Sequence, residues 1–417
     1  MYPHFMHEPS SPIRALWLTE NYHPSRGGMA QSCDRIVHGL RAAGVNIDLV
    51  HFTRHLAAPR IEAKRGGRYI GFPIDDDPAH GLNLLWNLLA VDRFRNEFTH
   101  VVAFGGILPL QAGPIYAAWL GVPLVTLFRG NDFDAAIFTP KRSDLVLTAI
   151  ARSAAVAAVS RDKEMKIRAL HPATRTVWIP NGIDLTNWEP LPSDNARALA
   201  WRREAVRPGR RVLGMIGQIK RKKGGLFFLD ALLGSGLAER FHLLFVGDLD
   251  DEVLAWLEAH PDAIDYSAFP FADRYELLAH YPACDFAVIG SFYDGLPNVL
   301  LEAAALGIPF IASTAGGMAD LLIDGEHGFL FHPGDEPECR RAIARAADAD
   351  ATELARIGER CRGLVRGRFD HITEAAAYRA LLTETTHTQR ADPPAGQLSR
   401  AEAILPRELS TSFPEQS

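Results

Sequence analysis

The stretch FAVIGSFYDGLPNVLLEAAALGIPFIAST, residues 286–314, places two apolar, β-rich runs on either side of a helix-length segment. The runs 286–291 and 309–314 are short and apolar on both faces, which is typical of strands in a covered parallel sheet. Pro297 suits the first turn of the intervening helix, because the N–H that it lacks is not needed there. The stretch therefore predicts a strand, a loop, a helix and a second, parallel strand.

The same alternation of apolar runs and helix-length segments extends in both directions and occurs twice along the chain. The predicted strands are 13–19, 46–52, 100–106, 123–128, 155–160, 212–217, 242–247, 286–291 and 309–314. Two such series predict an α/β protein whose two doubly wound, Rossmann-like lobes face each other across a central cleft.

The segment between the two series indicates how the chain divides into domains. Residues 181–210 are Pro-rich and of mixed polarity, and we interpret them as the linker and entry to the second lobe. We predict a first lobe over 1–185 and a second over 186–368. A helix over 369–387 follows, which could cross back to the first lobe, and residues 388–417 are predicted to form a disordered tail.

Composition and charge exclude several classes of protein. The net charge of −6 offers no overall field for nucleic acid, so we expect no nucleic-acid partner. The four cysteines are far apart, which argues against a disulfide framework or a zinc site and for a reducing compartment. The first dozen residues lack the apolar core of a signal peptide, and no run of 18 apolar residues occurs. We therefore expect a cytoplasmic protein.

The loop after the first predicted strand carries Gly27 and Gly28 directly before an apolar-periodic helix. Two glycines there let a backbone approach a phosphate or a sugar, and the helix start attracts an anion. A plain tight turn explains the pair equally well. No GxGxxG motif follows any predicted strand, which disfavours a dinucleotide-dependent dehydrogenase.

Two further loops of the first lobe carry candidate site residues. Arg129 and Asp132, in FRGNDFD, are catalytic candidates if they face the cleft, or they simply cap the next segment. Asn181, in IPNGID, is a candidate for substrate binding, although Asn-Gly is also the commonest turn dipeptide.

The second lobe begins with a basic loop, GQIKRKKGG, between a predicted strand and a helix. Its cations lie where a helix N-terminus already favours negative charge, so we interpret it as a diphosphate clamp. The candidate cations include Lys222 and Lys223, and Gln218 lies at the start of the same loop. A solvated basic loop is the alternative.

The stretch 286–314 itself predicts an anion site flanked by two carboxylates. Asp294 lies in the loop, and Glu302 lies about five residues into the helix, roughly 7 Å along its axis. The helix start supplies free amides for a phosphate, and carboxylates are good acceptors for paired sugar hydroxyls. The candidates along the loop and helix start are Gly295, Leu296, Pro297, Asn298 and Val299. In the alternative interpretation, Glu302 is simply an exposed helix residue and Asp294 simply forms a turn.

These motifs together resemble a known family. The stretch 294–335 is similar to the carboxyl-terminal signature of family 4 glycosyltransferases, retaining enzymes of the GT-B fold whose hallmark is two acids separated by seven residues. The glycine pair, IPNGID and GQIKRKKG also match, and Lys223 takes the place of the family's phosphate-binding lysine. The resemblance implies sugar transfer from a nucleotide-diphosphate sugar to a saccharide, lipid-linked or small-molecule hydroxyl. It makes the first lobe the acceptor side and the second lobe the donor side.

The chain departs from the family pattern at three positions. Asp294 stands where Glu is usual, Gln218 where Arg is common, and Arg129 where His is frequent. These departures favour one alternative, a nucleotide-sugar-binding protein with weak activity. A GT-B sugar-nucleotide epimerase is a second alternative, for which the sequence offers no additional acid or base pair.

The resemblance also implies a same-face mechanism, in which the departing diphosphate takes the acceptor's proton and no strong protein base is needed. We find no metal-binding DxD motif at a strand end, because the acids at 75–77 lie in a Pro-flanked loop. We expect no cofactor and no metal requirement.

The acceptor side carries two features that could rest on an anionic membrane. One is the apolar segment 82–98, predicted as a helix with Arg93 and Arg95 near its end, and the other is a basic loop at 60–68. Packing within the lobe explains the helix as well. These features are compatible with peripheral contact between the protein and the inner face of a membrane.

Overall fold

A computed structural model describes residues 12–91 and 97–390 and contains two sheets. The first is eight-stranded, in the order β3-β4-β2-β1-β5-β6-β7-β8, and is parallel except for the antiparallel pair β3 and β4. Its strands are β1 Arg14–Thr19, β2 Asn46–Thr53, β3 Arg60–Lys64, β4 Gly67–Pro73, β5 His100–Phe104, β6 Leu124–Phe128, β7 Ala155–Ala158 and β8 Thr176–Trp178.

The second sheet is six-stranded and parallel, in the order β11-β10-β9-β12-β13-β14. Its strands are β9 Arg211–Ile216, β10 Phe241–Val246, β11 Asp265–Phe269, β12 Phe286–Ile289, β13 Phe310–Ser313 and β14 Gly328–Phe331. The nine predicted strands are all present within these two sheets, so the predicted α/β class with two doubly wound lobes is confirmed.

Helices connect most of the strands. Within the described residues the α-helices are α1 Gly28–Ala42, α2 Pro78–Ala90, α3 Ile107–Leu120, α4 Asn131–Asp134, α5 Pro140–Arg152, α6 Arg161–Leu170, α7 Pro192–Ala205, α8 Gly225–Gly234, α9 Asp251–Ala259, α10 Arg274–His280, α11 Asn298–Leu306, α12 Glu336–Asp348, α13 Ala351–Val365 and α14 His371–Arg390. Alternate residues of β1 enter different cores: Trp17 packs in one cluster and Leu16 in another. The first sheet is therefore covered on both faces, as apolar runs without alternation predict.

Helix α14 lies near the end of the sequence but packs in the first lobe. Its side chains Tyr378, Leu381 and Leu382 belong to the same core cluster as Trp17, and the helix contacts α1. The C-terminal helix thus crosses back to the first lobe.

Two segments differ from the sequence-based expectation. The basic loop expected at 60–68 is a β-hairpin, because β3 pairs with β4 along the edge of the sheet. The segment 181–210, expected as a linker, contains α7, whose Trp201 packs edge-on against Phe269 of the second lobe. The structure describes the chain as far as Arg390, so most of the tail predicted at 388–417 lies outside the described residues.

Candidate active site

The carboxyl ends of both sheets face one cleft, and hydrogen bonds cross it. The Lys222 ammonium donates to the Asn131 amide oxygen at 3.0 Å, and the Asn298 amide donates to the Gly28 carbonyl at 3.2 Å. Loops that follow parallel strands are where doubly wound folds bind ligands. The cleft is therefore the candidate ligand-binding site.

The loop between β12 and α11 brings the helix start to this cleft. Helix α11 begins at Asn298, and Pro297 is its N-cap residue with φ −63° and ψ 133°. The sequence predicted Pro297 within the first turn of the helix, and the structure places it one residue earlier, as the N-cap. Glu302 is the fifth residue of the helix, as expected, and the amides of Asn298 and Val299 precede the first intrahelical hydrogen bond, from Leu300 to Pro297 at 3.1 Å.

Asp294 forms a close ion pair with Lys223. Its other oxygen accepts the backbone N–H of Gly295 at 2.9 Å. Burial by itself would raise the pKa of Asp294, but the ammonium groups of Lys223 and Lys222 outweigh it and hold that pKa below its usual range. The carboxylate is therefore ionised, and it restrains the lysine that the sequence assigns to a phosphate.

Glu302 is 8% exposed and accepts the Tyr281 hydroxyl at 2.7 Å. Burial raises its pKa to about 7, although the Tyr281 hydrogen bond and the charge of Arg35 act in the opposite direction. The alternative of an exposed helix residue does not apply to Glu302. The sequence did not indicate Tyr281, because this residue lies on a separate short turn, 21 positions before Glu302, and only the fold brings its hydroxyl to the carboxylate.

The basic loop runs alongside the Asp294 carboxylate. Lys222 and Lys223 are half-buried, and burial lowers the pKa of Lys222. Gln218 is exposed and accepts the Lys220 ammonium at 2.8 Å, so it stands at the rim of the cleft. Two of the three predicted basic-loop candidates therefore converge with Asp294.

The glycine pair lies on the opposite wall. Gly27 has φ +109°, and a Cβ at that position would meet nothing within 4 Å. Gly28 begins α1 and touches Asn298 across the cleft. The glycine pair therefore has open space at Gly27 and direct contact with the start of α11 at Gly28.

Arg129 and Asn181 are brought together in a buried network with α14. The Arg129 guanidinium donates closely to the Asn181 side-chain oxygen and also to the Tyr378 hydroxyl, and it pairs with Glu374 at 3.5 Å. Arg35 donates to Glu374 at 2.7 Å and to Asn181 at 3.0 Å. The Arg129 side chain is only 3% exposed, so its guanidinium is directed into this network.

The side chains of Asp132 and Asn181 each form hydrogen bonds with the main chain and not with each other. Both carboxylate oxygens of Asp132 accept the Arg129 N–H, at 2.9 and 3.1 Å, which is the capping geometry that the sequence left open. The Asn181 amide donates to the Leu296 carbonyl at 2.6 Å, one residue before Pro297. Asn181 therefore links the network to the loop that leads into α11.

Sequence reasoning missed Arg35, Glu374 and Tyr378. They lie on α1 and α14, far apart in the chain, and each reads as an ordinary helix residue. Nothing in the sequence indicates that these three residues meet; only the tertiary fold brings them together.

The acids 75–77 lie at an exposed loop, where Asp77 caps α2 by accepting the Ala79 N–H at 3.1 Å. Among the described residues, no cluster of three or more His, Cys, Asp or Glu side chains could hold a metal ion. Helix α2 ends at Ala90, and Trp86 packs edge-on against Tyr116. Arg93 and Arg95 lie outside the described residues, and no described helix is long and apolar enough to cross a membrane.

Comparisons with known proteins relate both lobes to glycosyltransferases. The model of Glycosyltransferase Family 4 matches residues 26–187, and that of Glycosyl transferases group 1 matches residues 210–349. The chain is 31% identical over 232 residues to the D-inositol 3-phosphate glycosyltransferase of Geodermatophilus obscurus, a match that covers 52% of this chain and 50% of that protein. It is 24% identical over 390 residues to the GDP-mannose-dependent alpha-mannosyltransferase of Corynebacterium glutamicum, covering 87% and 86% of the two chains.

Solved structures share the fold. Sucrose-phosphate synthase from Thermosynechococcus elongatus superposes with a TM-score of 0.73 at 18% identity, over 90% of this chain and 100% of that one. Anabaena HepE in complex with UDP and glucose gives a TM-score of 0.69 at 20% identity, over 89% and 100%. The predicted GT-B fold is thus confirmed. The chain is a glycosyltransferase, whose first lobe matches the Glycosyltransferase Family 4 model and whose second lobe matches the Glycosyl transferases group 1 model.

Proposed function

We propose that this glycosyltransferase moves a hexosyl group from a nucleotide-diphosphate sugar to an acceptor hydroxyl with retention of anomeric configuration. The convergence of Lys223, Asp294 and the start of α11 at one edge of the second sheet carries the proposal. Lys223 and the helix amides hold the diphosphate, Glu302 accepts the ribose hydroxyls, and Asp294 orients the transferred sugar.

Donor binding opens the ion pair between Lys223 and Asp294. The ammonium turns to the diphosphate, whose negative charge grows as the bond to the sugar breaks, and Asp294 becomes available to the sugar hydroxyls. The acceptor oxygen bonds to the anomeric carbon on the face that the diphosphate leaves. The departing phosphate oxygen takes the acceptor's proton.

Neither a cofactor nor a metal ion is part of the proposal. Lys222, Lys223 and the amides of α11 supply positive charge on one side of the diphosphate. The rate of transfer should accordingly be the same with EDTA as with added Mg²⁺.

The similar proteins differ in the base of the donor nucleotide. One similar structure, that of Anabaena HepE, is a complex with UDP-glucose, whereas one relative is a GDP-mannose-dependent mannosyltransferase. We propose a saccharide, lipid-linked or small-molecule acceptor, bound in the first lobe of a cytoplasmic protein. We also propose peripheral contact of the first lobe with an anionic membrane, which flotation with anionic vesicles tests.

The experiment offers UDP-, GDP- and ADP-sugars with soluble and lipid-linked acceptors and measures nucleoside diphosphate release. The anomeric proton coupling of the product reports its configuration by NMR. We expect acceptor-dependent release and an unchanged configuration. Inversion would overturn retention, binding without release would identify a binding protein, and a new nucleotide sugar formed without acceptor would identify an epimerase.

A further inference from the structure

The first sheet has a crevice of its own at its carboxyl edge. Strand β1 lies between β2 and β5, so the chain turns one way after β1 and the other way at β5. Ligands of doubly wound sheets bind at such a reversal of strand order. A cavity of about 250 Å³ lies there, lined by Glu20, Thr53, Arg54, Ile107, Leu108 and Arg142 among others.

Glu20 follows β1 directly and reaches the start of α3. Its carboxylate accepts the Leu108 N–H at 3.1 Å. A Cβ on Gly106 would lie 2.0 Å from the same carboxylate, so only glycine at that position lets Glu20 approach. The positive end of α3 is thus already complemented by a carboxylate of the chain.

Arg142 lines the same cavity from α5. Its side chain is exposed and has no hydrogen bond or ion pair with any residue that the structure describes. The guanidinium acts on Glu20 only through its field, and Glu20 itself makes no ion pair with a described side chain. The cavity is therefore lined by one carboxylate and two guanidinium groups: Arg54 is already paired with Asp76 at 3.2 Å, whereas Arg142 faces Glu20 without touching it.

The size of the cavity limits what it can hold. At about 30 Å³ for a water molecule, 250 Å³ corresponds to about eight waters. This is below the roughly 300–1,000 Å³ of pockets for drug-sized ligands, and it suits a single ring.

We propose that this cavity binds an uncharged polyol ring of the acceptor, with Glu20 accepting and Arg142 donating hydrogen bonds to its hydroxyls. A hydroxyl both donates and accepts, so one ring can bridge the two opposite charges. A phosphorylated ring would place its dianion at a helix start whose amides Glu20 already occupies. The inference rests on the proposed transfer and adds the chemical class of the acceptor.

Saturation-transfer NMR on the full chain, with UDP or GDP present, tests this. The probes are two matched pairs: myo-inositol with its 3-phosphate, and methyl α-mannoside with mannose 6-phosphate. We expect binding of a neutral ring that weakens about tenfold or more in Glu20→Gln, since hydrogen bonds to charged groups are the stronger ones. Gln keeps an oxygen for the Leu108 amide, and Asp144→Asn, an exposed acid on α5, is the matched control.

Preference for the phosphorylated member of a pair would overturn the proposal, as would equal binding by the wild type and Glu20→Gln. Absence of signal from both neutral rings would overturn it too. Arg142→Ala should also weaken the neutral ring, and it does not alter the contact between Glu20 and α3. Calorimetry with UDP and GDP on the same samples reports on the donor side, so failure there counts against the proposed function instead.

Discussion

At the scale of single residues, the ion pair between Lys223 and Asp294 makes the lysine the first group to test. Lys223 faces a diphosphate whose charge grows in the transition state. Lys223→Ala should therefore lower kcat by the ~10² to 10³ that is typical of losing one charge-stabilising group. Steady-state turnover at saturating donor measures this.

Lys220→Ala is the matched control, because Lys220 lies in the same loop but its ammonium is held by Gln218. It should retain most of the activity. Equal losses in the two variants would show that the loop contributes only a general positive field.

Asp294 and Glu302 should separate cleanly in their effects. Asp294→Ala should leave nucleoside diphosphate binding at least as tight, because Lys223 and Lys222 lose a competing carboxylate, while transfer collapses. Glu302→Ala should weaken binding of the free nucleoside diphosphate. Asp294→Glu, the residue usual in the family, should retain activity if the loop adjusts. Calorimetry with the nucleoside diphosphate and a transfer assay on the same variants distinguish the two roles. If Asp294→Ala transferred sugar at the wild-type rate, Asp294 would have no part in the mechanism.

The pH dependence of nucleotide binding should report on Glu302. Burial raises its pKa to about 7, so in the free protein it is largely protonated at pH 6 and ionised at pH 8. A carboxylate accepts hydroxyl hydrogen bonds more strongly than a neutral acid, so affinity for the nucleoside should rise with pH through this range. Glu302→Gln resembles the protonated acid. Its Kd should match the wild type near pH 6 and be about tenfold weaker at pH 8; a constant ratio across that range would contradict the assignment.

At the scale of elements, α14 is fixed to the first lobe by buried charge. Glu374 is the carboxylate that Arg35 and Arg129 share, and its side chain is 2% exposed. Glu374→Ala leaves two guanidinium groups without it, which should lower the free energy of unfolding by about 3–5 kcal/mol. Chemical denaturation measures the change.

The same helix provides a control for this variant. Glu384 pairs with Arg175 at the surface, where both side chains are about half exposed. Glu384→Ala should lower the free energy of unfolding by less than about 1 kcal/mol. If the two variants were equally stable, the buried pair would not be what fixes α14.

The elements also show what the sequence can and cannot predict. The nine strands followed from apolar runs, because burial on both faces leaves a local signal. The hairpin of β3 and β4 gave no such signal, since four of the five residues in β3 are exposed and the charges of Arg60 and Lys64 resemble a loop. The two acids were found from local spacing, and Lys223 was found from the resemblance of the basic loop to a family motif. The partners of Arg129 were not, because they come from helices that only the tertiary fold brings together.

At the scale of the whole molecule, the chain passes between the lobes twice, and the two passages run side by side. The Ile183 N–H donates to the Phe369 carbonyl at 2.7 Å, and the His371 N–H donates back to Ile183 at 3.2 Å. This pairing joins the end of the first lobe to the entry of α14. Any movement of one lobe against the other would have to bend or twist this paired connection.

Gly182 lies at this connection and leaves no room for a side chain. A Cβ there would lie 2.7 Å from the Cα of His371 and 2.9 Å from the Asp370 carbonyl, so backbone would have to move. Gly182→Ala should separate the two passages, lowering the melting temperature by several degrees and reducing turnover more than nucleotide binding. Gly363→Ala is the control: Gly363 is an exposed residue of α13 with open space at its Cβ, and alanine there should stabilise by up to about 1 kcal/mol. Differential scanning fluorimetry and the transfer assay compare them. A Gly182→Ala variant as stable and active as the wild type would show that the lobes do not depend on this pairing.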